Sequence, residues 1–428
     1  MFNFGISNYS LVIAAGIFVT SLTAAAVEIK PQASLAMQTN TRTMAGQEQE
    51  DLIRTTGLAV SVDGDGKSFQ LDADASVKKK EYLSGIYEGK EYDDFALNAV
   101  ANWVIIKDQL TWILKDFYTQ QIINSLIPET PDNIRDTNVL TFGPLFNYQI
   151  TGRQRLSLKP EYREYRYDAY DIDNKQGALD VSWNYQPAER ANIGFRGELN
   201  KIEYENSALI NNEFRSIYLT LSKASAVYNF SVDAGTTRVD REGMNSVYGA
   251  SGNIKWLYNI TSDTFFRIYV ASNLTDTNNS LLNSSINPDD GNFSNEQASS
   301  DYMRKRNFTL VYQTMNSGLR SRFWAEIRRQ DFGVALMDQN IDEFGVEFNY
   351  PIANLMTAGI NMRHGEVESL NIDRMDDQSR VGGNINYHFS RRLRGVLEFK
   401  KYKNDSTIDT ADFTEKTIFL SFVYGYGI

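Results

Sequence analysis

The chain has 428 residues, enough for two or three ordinary domains or for one large barrel. Its formal net charge is −11 and it has no basic tract, so a nucleic-acid partner is not expected. It contains no Cys, which excludes disulfides and thiolate metal sites and suits an oxidising compartment.

The N-terminus has the pattern of an export signal. Residues 11–26, LVIAAGIFVTSLTAAA, are almost wholly apolar and end in small residues. The stretch is shorter than the roughly 20 residues that a membrane-spanning helix needs, and it fits a secretory signal with its cleavage site. The first ten residues depart from that pattern because they contain no Lys or Arg. We predict a signal peptide over 1–26 and a mature chain over 27–428, with an uncleaved anchor or a buried strand as alternatives.

From residue 27 onward the dominant hydrophobic period is two. In FQLDADASVK (69–78), the residues Phe69, Leu71 and Ala73 face one way, and the polar residues between them face the other. The same alternation occurs in 191–200, 343–350 and 380–389. Strict alternation over such lengths is typical of half-buried strands, and no convincing amphipathic helix is present.

Short polar turns alternate with longer acidic or Asn/Ser-rich stretches along the chain. The turns are expected at 63–67, 107–109, 151–154, 186–190, 260–263, 316–318, 353–355 and 390–392, and the loops at 40–50, 120–137, 168–176, 275–300, 366–377 and 404–411. This is the connection pattern of a transmembrane barrel with turns in the periplasm and loops outside. We therefore predict an all-β, transmembrane, antiparallel up-and-down β-barrel of about 20 strands, or 18 if one hairpin is miscounted.

A soluble all-β protein, such as a propeller, a β-helix or several sandwiches, would also show alternation. No repeat of fixed length with a recurring motif is present, which disfavours propellers and solenoids. Three features favour a membrane barrel in the cell outer membrane: the export signal, the difference between turns and loops, and aromatic pairs before short turns. Examples of these pairs are Trp183 with Tyr185, and Trp256 with Tyr258.

Three hairpin patterns suggest a family. In FALNAVANWVIIKDQLTWILKDFYT (95–119) two strands meet at a KDQL turn, in 138–169 GPLFNYQI pairs with RLSLKPEYREYRY, and 180–205 repeats the hairpin. This order resembles, over most of the mature chain, the outer-membrane β-barrels found with exopolysaccharide and PEP-CTERM/exosortase systems. The resemblance implies a porin-type barrel linked to polysaccharide export, with polysaccharide and periplasmic export components as partners.

No pattern of catalytic or metal-ligating residues stands out. His364 and His388 are isolated, and no GxSxG motif occurs. Carboxylate pairs such as Asp72 with Asp74 and Glu161 with Glu164 could suggest glycoside hydrolysis, but acidic residues are scattered over many strands, as a polar lumen predicts. We expect no enzyme activity, metal or cofactor, while a Ser–His lipase and a glycoside hydrolase stay open as alternatives.

Charged residues that share one strand face are the candidate functional set. In lipid such charges would be costly, so the barrel hypothesis puts them in the lumen, where mixed Arg and Glu rings select solutes. The alternative is that they pair with each other and only make the wall rigid. The candidates are Arg155, Lys159, Glu161, Arg163, Arg196, Glu198, Lys255, Arg320, Arg322, Glu326, Arg328, Arg394, Glu398 and Lys400.

The chain ends in TIFLSFVYGYGI, with a large apolar residue at every second position. We interpret it as the closing strand, which pairs with the first strand and serves as a signal for the barrel assembly machinery. The signal residues are Phe422, Tyr424, Tyr426 and Ile428. We expect Ile418, Leu420, Phe422, Tyr424 and Tyr426 to face membrane lipid, and Ser421, Val423 and Gly425 to face the lumen.

The function predicted from these features is a passive channel, most directly a conduit for exopolysaccharide. A general diffusion porin for small solutes is the main alternative, and a structural or enzymatic barrel is a third. Any gate is expected from inward-folded loops, with 275–300 and 120–137 as candidates.

Overall fold

The computed structural model describes residues 26–44, 47–122, 131–168, 171–277, 301–333, 338–408 and 411–425. Residues 1–25, which hold nearly all of the expected signal peptide, lie outside the described residues. The signal peptide therefore stays a prediction.

Twenty antiparallel strands form one sheet, and the sheet closes because the first strand pairs with the last. Each strand otherwise pairs with its neighbours in sequence, which is an up-and-down barrel. The predicted fold class and the count of 20 strands are confirmed. The strands are β1 (Ala26–Met44), β2 (Gln47–Asp65), β3 (Phe69–Ser84), β4 (Glu91–Ile106), β5 (Leu110–Ile122), β6 (Ile134–Thr151), β7 (Gln154–Tyr167), β8 (Asn174–Ala188), β9 (Ala191–Tyr204), β10 (Asn212–Ala224), β11 (Tyr228–Arg241), β12 (Val247–Asn259), β13 (Thr264–Asp276), β14 (Tyr302–Asn316), β15 (Leu319–Phe332), β16 (Gln339–Ala353), β17 (Met356–Ser369), β18 (Arg374–His388), β19 (Leu393–Ser406) and β20 (Phe413–Gly425).

Two predicted loops are largely strand. β1 runs to Met44 and β2 starts at Gln47, so most of 40–50 is paired, and the end of β17 and start of β18 occupy much of 366–377. The sequence pattern missed these ends because polar residues occupy both faces there, so no apolar alternation is visible. The ladder continues because its hydrogen bonds join backbone groups and need no apolar face.

The apolar residues of each strand face outward. Leu58 and Phe195 have 64% and 55% of their surface exposed, and outward positions on the other strands are similarly apolar. Successive side chains of a strand point to opposite faces, so the intervening polar residues line the interior. Apolar side chains thus face outward and polar side chains inward, which is the reverse of a soluble β-sandwich and the arrangement of a membrane barrel.

The two ends of the outer surface differ in composition. Trp103 on β4 lies directly opposite Trp112 on β5 near a short turn, and Trp183 stacks on Phe195 near another. Outward Arg and Lys residues instead cluster towards the longer loops, for example Arg215 beside Glu213. We refer to these two ends as the turn side and the loop side.

Four loop-side connections share the same side-chain to backbone hydrogen bond. An Asp or Asn in the loop accepts a hydrogen bond from the backbone N–H at or near the end of the preceding strand, which is a common use of these residues in turns. Burial raises the pKa of Asp173, and the hydrogen bond from the Tyr167 amide partly offsets this. The donor and acceptor pairs are Tyr167 with Asp173 (2.8 Å), Tyr204 with Asn211 (3.0 Å), Phe332 with Asp338 (2.7 Å) and Ser406 with Asp412 (2.5 Å).

The closing pair β1–β20 has the faces that the sequence predicts. Leu35 lies opposite Phe422 on the outside, and Ser421, which is buried, lies opposite Ala36 on the inside. Tyr426 and Ile428 lie outside the described residues. The role of the C-terminus as an assembly signal stays a prediction.

Removal of residues 424–428 is expected to abolish membrane assembly, because Tyr424 and Gly425 pair with Ala33 and Gln32 to close the barrel. Assembly is measured in outer-membrane fractions by the shifted gel mobility of an unheated barrel. The variant Tyr424→Phe keeps the apolar alternation and is expected to assemble normally. Normal assembly of the truncated chain would contradict this role for the C-terminus.

Candidate channel lumen

Strand alternation and cross-strand register place every sequence-predicted lumen residue on the inner wall. Arg155, for example, shares its face with Lys159 and lies opposite Asn184, which is also inward. A cavity of about 1440 Å³ extends along the inside of the wall formed mainly by β7–β15. It reaches from Asp276 and Arg328 near the loop side to Arg190 and Lys223 at the turn side.

The cavity brings some of the candidates together and leaves others apart. It is lined by Lys159, Glu161, Arg163, Arg196, Glu198, Lys255, Glu326 and Arg328. The residues outside its lining are Arg155, Arg320, Arg322, Arg394, Glu398 and Lys400. A part in solute selection stays a prediction both for the candidates that line the cavity and for those outside its lining.

The charges that line this cavity are mainly positive. Ten basic and six acidic residues line it, although the whole chain carries a net charge of −11. Sequence reasoning missed Lys115, Arg267 and Asp180 among these residues. The signal that could have found them is a lone charge at an alternate position of an apolar strand, such as Arg267 in TFFRIYV.

Several of the lining charges pair within the wall, as the alternative interpretation of the candidates predicts. Glu161 lies 2.7 Å from both Lys159 Nζ and Arg163 Nη2. Arg196 lies 3.1 Å from Glu198 and 3.7 Å from Asp233, and its guanidinium stacks over the Tyr218 ring at 4.6 Å. These groups hold each other in position and contribute little net charge.

Five lining cations have no such partner among the described residues, namely Arg190 and Lys223 at the turn side, and Lys115, Lys255 and Arg267 in the interior of their strands. Within the described part of the chain, Lys115, Lys255 and Arg267 form no salt bridge or side-chain hydrogen bond. Lys255 Nζ lies 5.6 Å from the Tyr269 ring, and the Arg267 guanidinium lies 5.4 Å from the Phe265 ring, both compatible with weak cation–π contacts. No carboxylate of the described wall therefore neutralises their charge.

The inner wall is more tightly packed at the loop side. Inward residues there, such as Gln330, Ile341 and Gln378, are almost fully buried. Tyr204 Oη donates to Asp276 at 3.4 Å, which joins β9 to β13. Inward side chains are thus closely packed at this end, and the cavity extends from there to the turn side.

Buried ion pairs strengthen this loop-side packing. Arg328 Nε donates to Glu326 at 2.8 Å, Arg363 pairs with Glu343, and all four side chains are buried. Of the expected gating loops, only 275–277, 120–122 and 131–137 fall within the described residues.

The other residues singled out by sequence do not form a catalytic group. Glu161 faces inward, whereas Glu164 faces outward three positions later, so they are not a pair across one site. His364 is outward beside Asp377 (3.4 Å), and His388 lies opposite Arg394 on the inner wall. Among the residues that the structure describes, no group of three His, Cys, Asp or Glu side chains could hold a metal ion. No described helix is long and apolar enough to cross a membrane.

No protein-family model and no curated protein sequence matches the chain. Solved structures do match. Two variants of the FrpB iron transporter from Neisseria meningitidis, F5-1 and F3-3, have TM-scores of 0.54 and 0.51 at 8% and 9% identity, over 92% of this chain and 82% and 81% of theirs. OccK2 (OpdF) from Pseudomonas aeruginosa has a TM-score of 0.43 at 10% identity, over 93% of this chain and 98% of its own.

The likeness to the two FrpB variants agrees with the strand order and the apolar outer surface. The chain is an outer-membrane β-barrel. At such low identity the likeness concerns the fold, so the solute has to be argued from the lumen itself.

Proposed function

We propose that the protein is a passive outer-membrane channel for small hydrophilic solutes and that it favours anions. The observation that carries this proposal is the cavity with ten basic and six acidic lining residues, in which five of the basic residues have no acidic partner among the described residues. Charged lumen walls raise the local concentration of the opposite ion and lower that of the like ion.

The size of the cavity favours a path for solutes rather than a single tight binding site. Its volume of about 1440 Å³ exceeds the roughly 300–1,000 Å³ of typical small-molecule pockets. The buried loop-side layer favours small solutes over a polymer, since a polysaccharide needs a continuous wide path. Export of exopolysaccharide rests on the sequence resemblance alone, and no contact in the lumen favours it.

Single-channel recording in planar bilayers tests the proposal. The purified full-length barrel is expected to show steady conductance, with chloride more permeant than potassium under a salt gradient. Conductance that appears only after deletion of 278–300 would support a gated conduit instead. Absence of conductance in both forms would contradict a channel function.

A further inference from the structure

The outer surface carries a patch of lysines at the loop-side end of β19 and β20. Lys401 and Lys416 are outward, exposed and directly opposite each other across the two strands. Lys403, two residues further along β19, shares the same outward face. We call these three residues the lysine patch.

Most outward basic residues on the loop-side half of the barrel have a carboxylate partner. Lys79 pairs with Glu91, for instance, and Lys201 with Glu203, at 2.6 Å in both cases. The same holds for Arg54, Arg166, Lys175, Arg215, Arg238, Arg306, Arg329 and the patch member Lys403. In the part of the chain that the structure describes, Lys401 and Lys416 have neither a salt bridge nor a side-chain hydrogen bond.

Two like charges at directly opposite positions of neighbouring strands destabilise the pair. Opposite residues have Cα atoms only about 4.5–5.5 Å apart, so one small anion can contact both ammonium groups. Thr41 on β1 lies opposite Lys416 on the other side and adds a hydroxyl on the same face. The arrangement matches an anion with several acceptor oxygens.

The position of the patch on the barrel identifies the source of that anion. Phe399 and Ile418, the next outward residues of β19 and β20 towards the turn side, are exposed and apolar, as is Val381 opposite Lys401 on β18. The lysines therefore stand at the border where the lipid-facing band ends, on the side of the longer loops. In an outer-membrane barrel those loops are outside, so the border lies at the headgroups of the outer leaflet.

We propose that the lysine patch binds the phosphate groups of outer-leaflet lipids. Phosphate offers three acceptor oxygens to the two unpaired ammonium groups, and charge-assisted hydrogen bonds of this kind are the strong ones. The site is on the outer wall and does not depend on what passes through the lumen. The lipid-binding proposal can therefore be wrong while the channel proposal is right, and the channel proposal can be wrong while the lipid-binding proposal is right.

Binding of diphosphoryl lipid A to the purified, folded barrel in detergent tests this proposal. EDTA is included so that divalent cations cannot bridge lipid to acidic residues. The double variant Lys401→Gln/Lys416→Gln is expected to bind about tenfold more weakly, since hydrogen bonds to charged groups are worth roughly that factor or more. Lipid A from which both phosphates have been removed is expected to bind native protein and variant equally.

The matched control removes two lysines that have carboxylate partners, Lys79→Gln/Lys201→Gln, and is expected to change lipid affinity less than twofold. Shifted gel mobility of the unheated samples verifies that each variant is folded. The conservative variant Lys401→Arg/Lys416→Arg is expected to keep the affinity. Equal affinity of the native barrel and the Gln double variant, or an equal loss in the control, would overturn the proposal.

Discussion

Replacement of Lys115, Lys255 and Arg267 by Glu is expected to turn the anion preference of the channel into a cation preference. These three lining cations lie in the interior of their strands and have no acidic partner in the described lumen, so we expect their charge to act on solutes rather than on neighbouring side chains. The change leaves seven basic and nine acidic residues along the cavity, where ten and six stand in the native chain. The reversal potential in a gradient of potassium chloride is therefore expected to change sign.

The effect is expected to be large at low salt. A unit charge acts on an ion 4 Å away with about 1 kcal/mol in water, and screening extends over about 10 Å at 0.1 M salt. Three reversals are therefore expected to shift the chloride-to-potassium permeability ratio by roughly tenfold or more. Recordings at 1 M salt are expected to show a smaller shift.

A control variant with the same change in net charge separates the effect of the lumen charges on selectivity from the effect of the net charge of the whole protein. The variant Lys79→Glu/Lys175→Glu/Lys201→Glu alters three outward lysines on the loop side. Its selectivity is expected to equal that of the native barrel. If the control and the lumen variant shift together, selectivity follows net charge and the assignment of the lining cations is wrong.

The change Arg363→Met is expected to destabilise the barrel by about 3–5 kcal/mol, the typical cost of breaking a buried ion pair. It leaves Glu343 buried without its partner, and one oxygen of that carboxylate already lacks a hydrogen bond. Arg380 lies directly opposite Arg363, so relief of their repulsion places the expected loss near the lower end of the range. Reversible unfolding in guanidinium with lipid vesicles measures the difference.

The double variant Arg363→Met/Glu343→Leu provides the decisive comparison. Replacement of a whole buried pair by apolar residues is often neutral, so we expect a free energy of unfolding within about 1 kcal/mol of the native value. Arg54→Met, which breaks an exposed outward pair with Glu81, is expected to cost less than about 1 kcal/mol. A double variant as unstable as Arg363→Met would show that packing, not unpaired charge, causes the loss.

The amino-acid sequence by itself determined the class of fold, the number of strands and the two faces of the wall. Alternation is set by the covalent geometry of an extended chain, and the apolar face must meet lipid, so a strand such as 343–350 displays its orientation in its own residues. The same reasoning placed Phe422 and Tyr424 outside and Ser421 inside. It failed at 40–50 and 366–377, where both faces are polar and the backbone ladder alone extends the strands.

Only the tertiary structure decided which charges meet and which stay unpaired. A charge can pair along its own strand, as Glu161 does with Lys159 and Arg163. A partner on a neighbouring strand instead depends on the register, which is set by the whole closed sheet. This register leaves Lys255 with only the Tyr269 ring across the ladder. Register also brought Lys401 and Lys416 together on the outer wall, from positions 15 residues apart on adjacent strands.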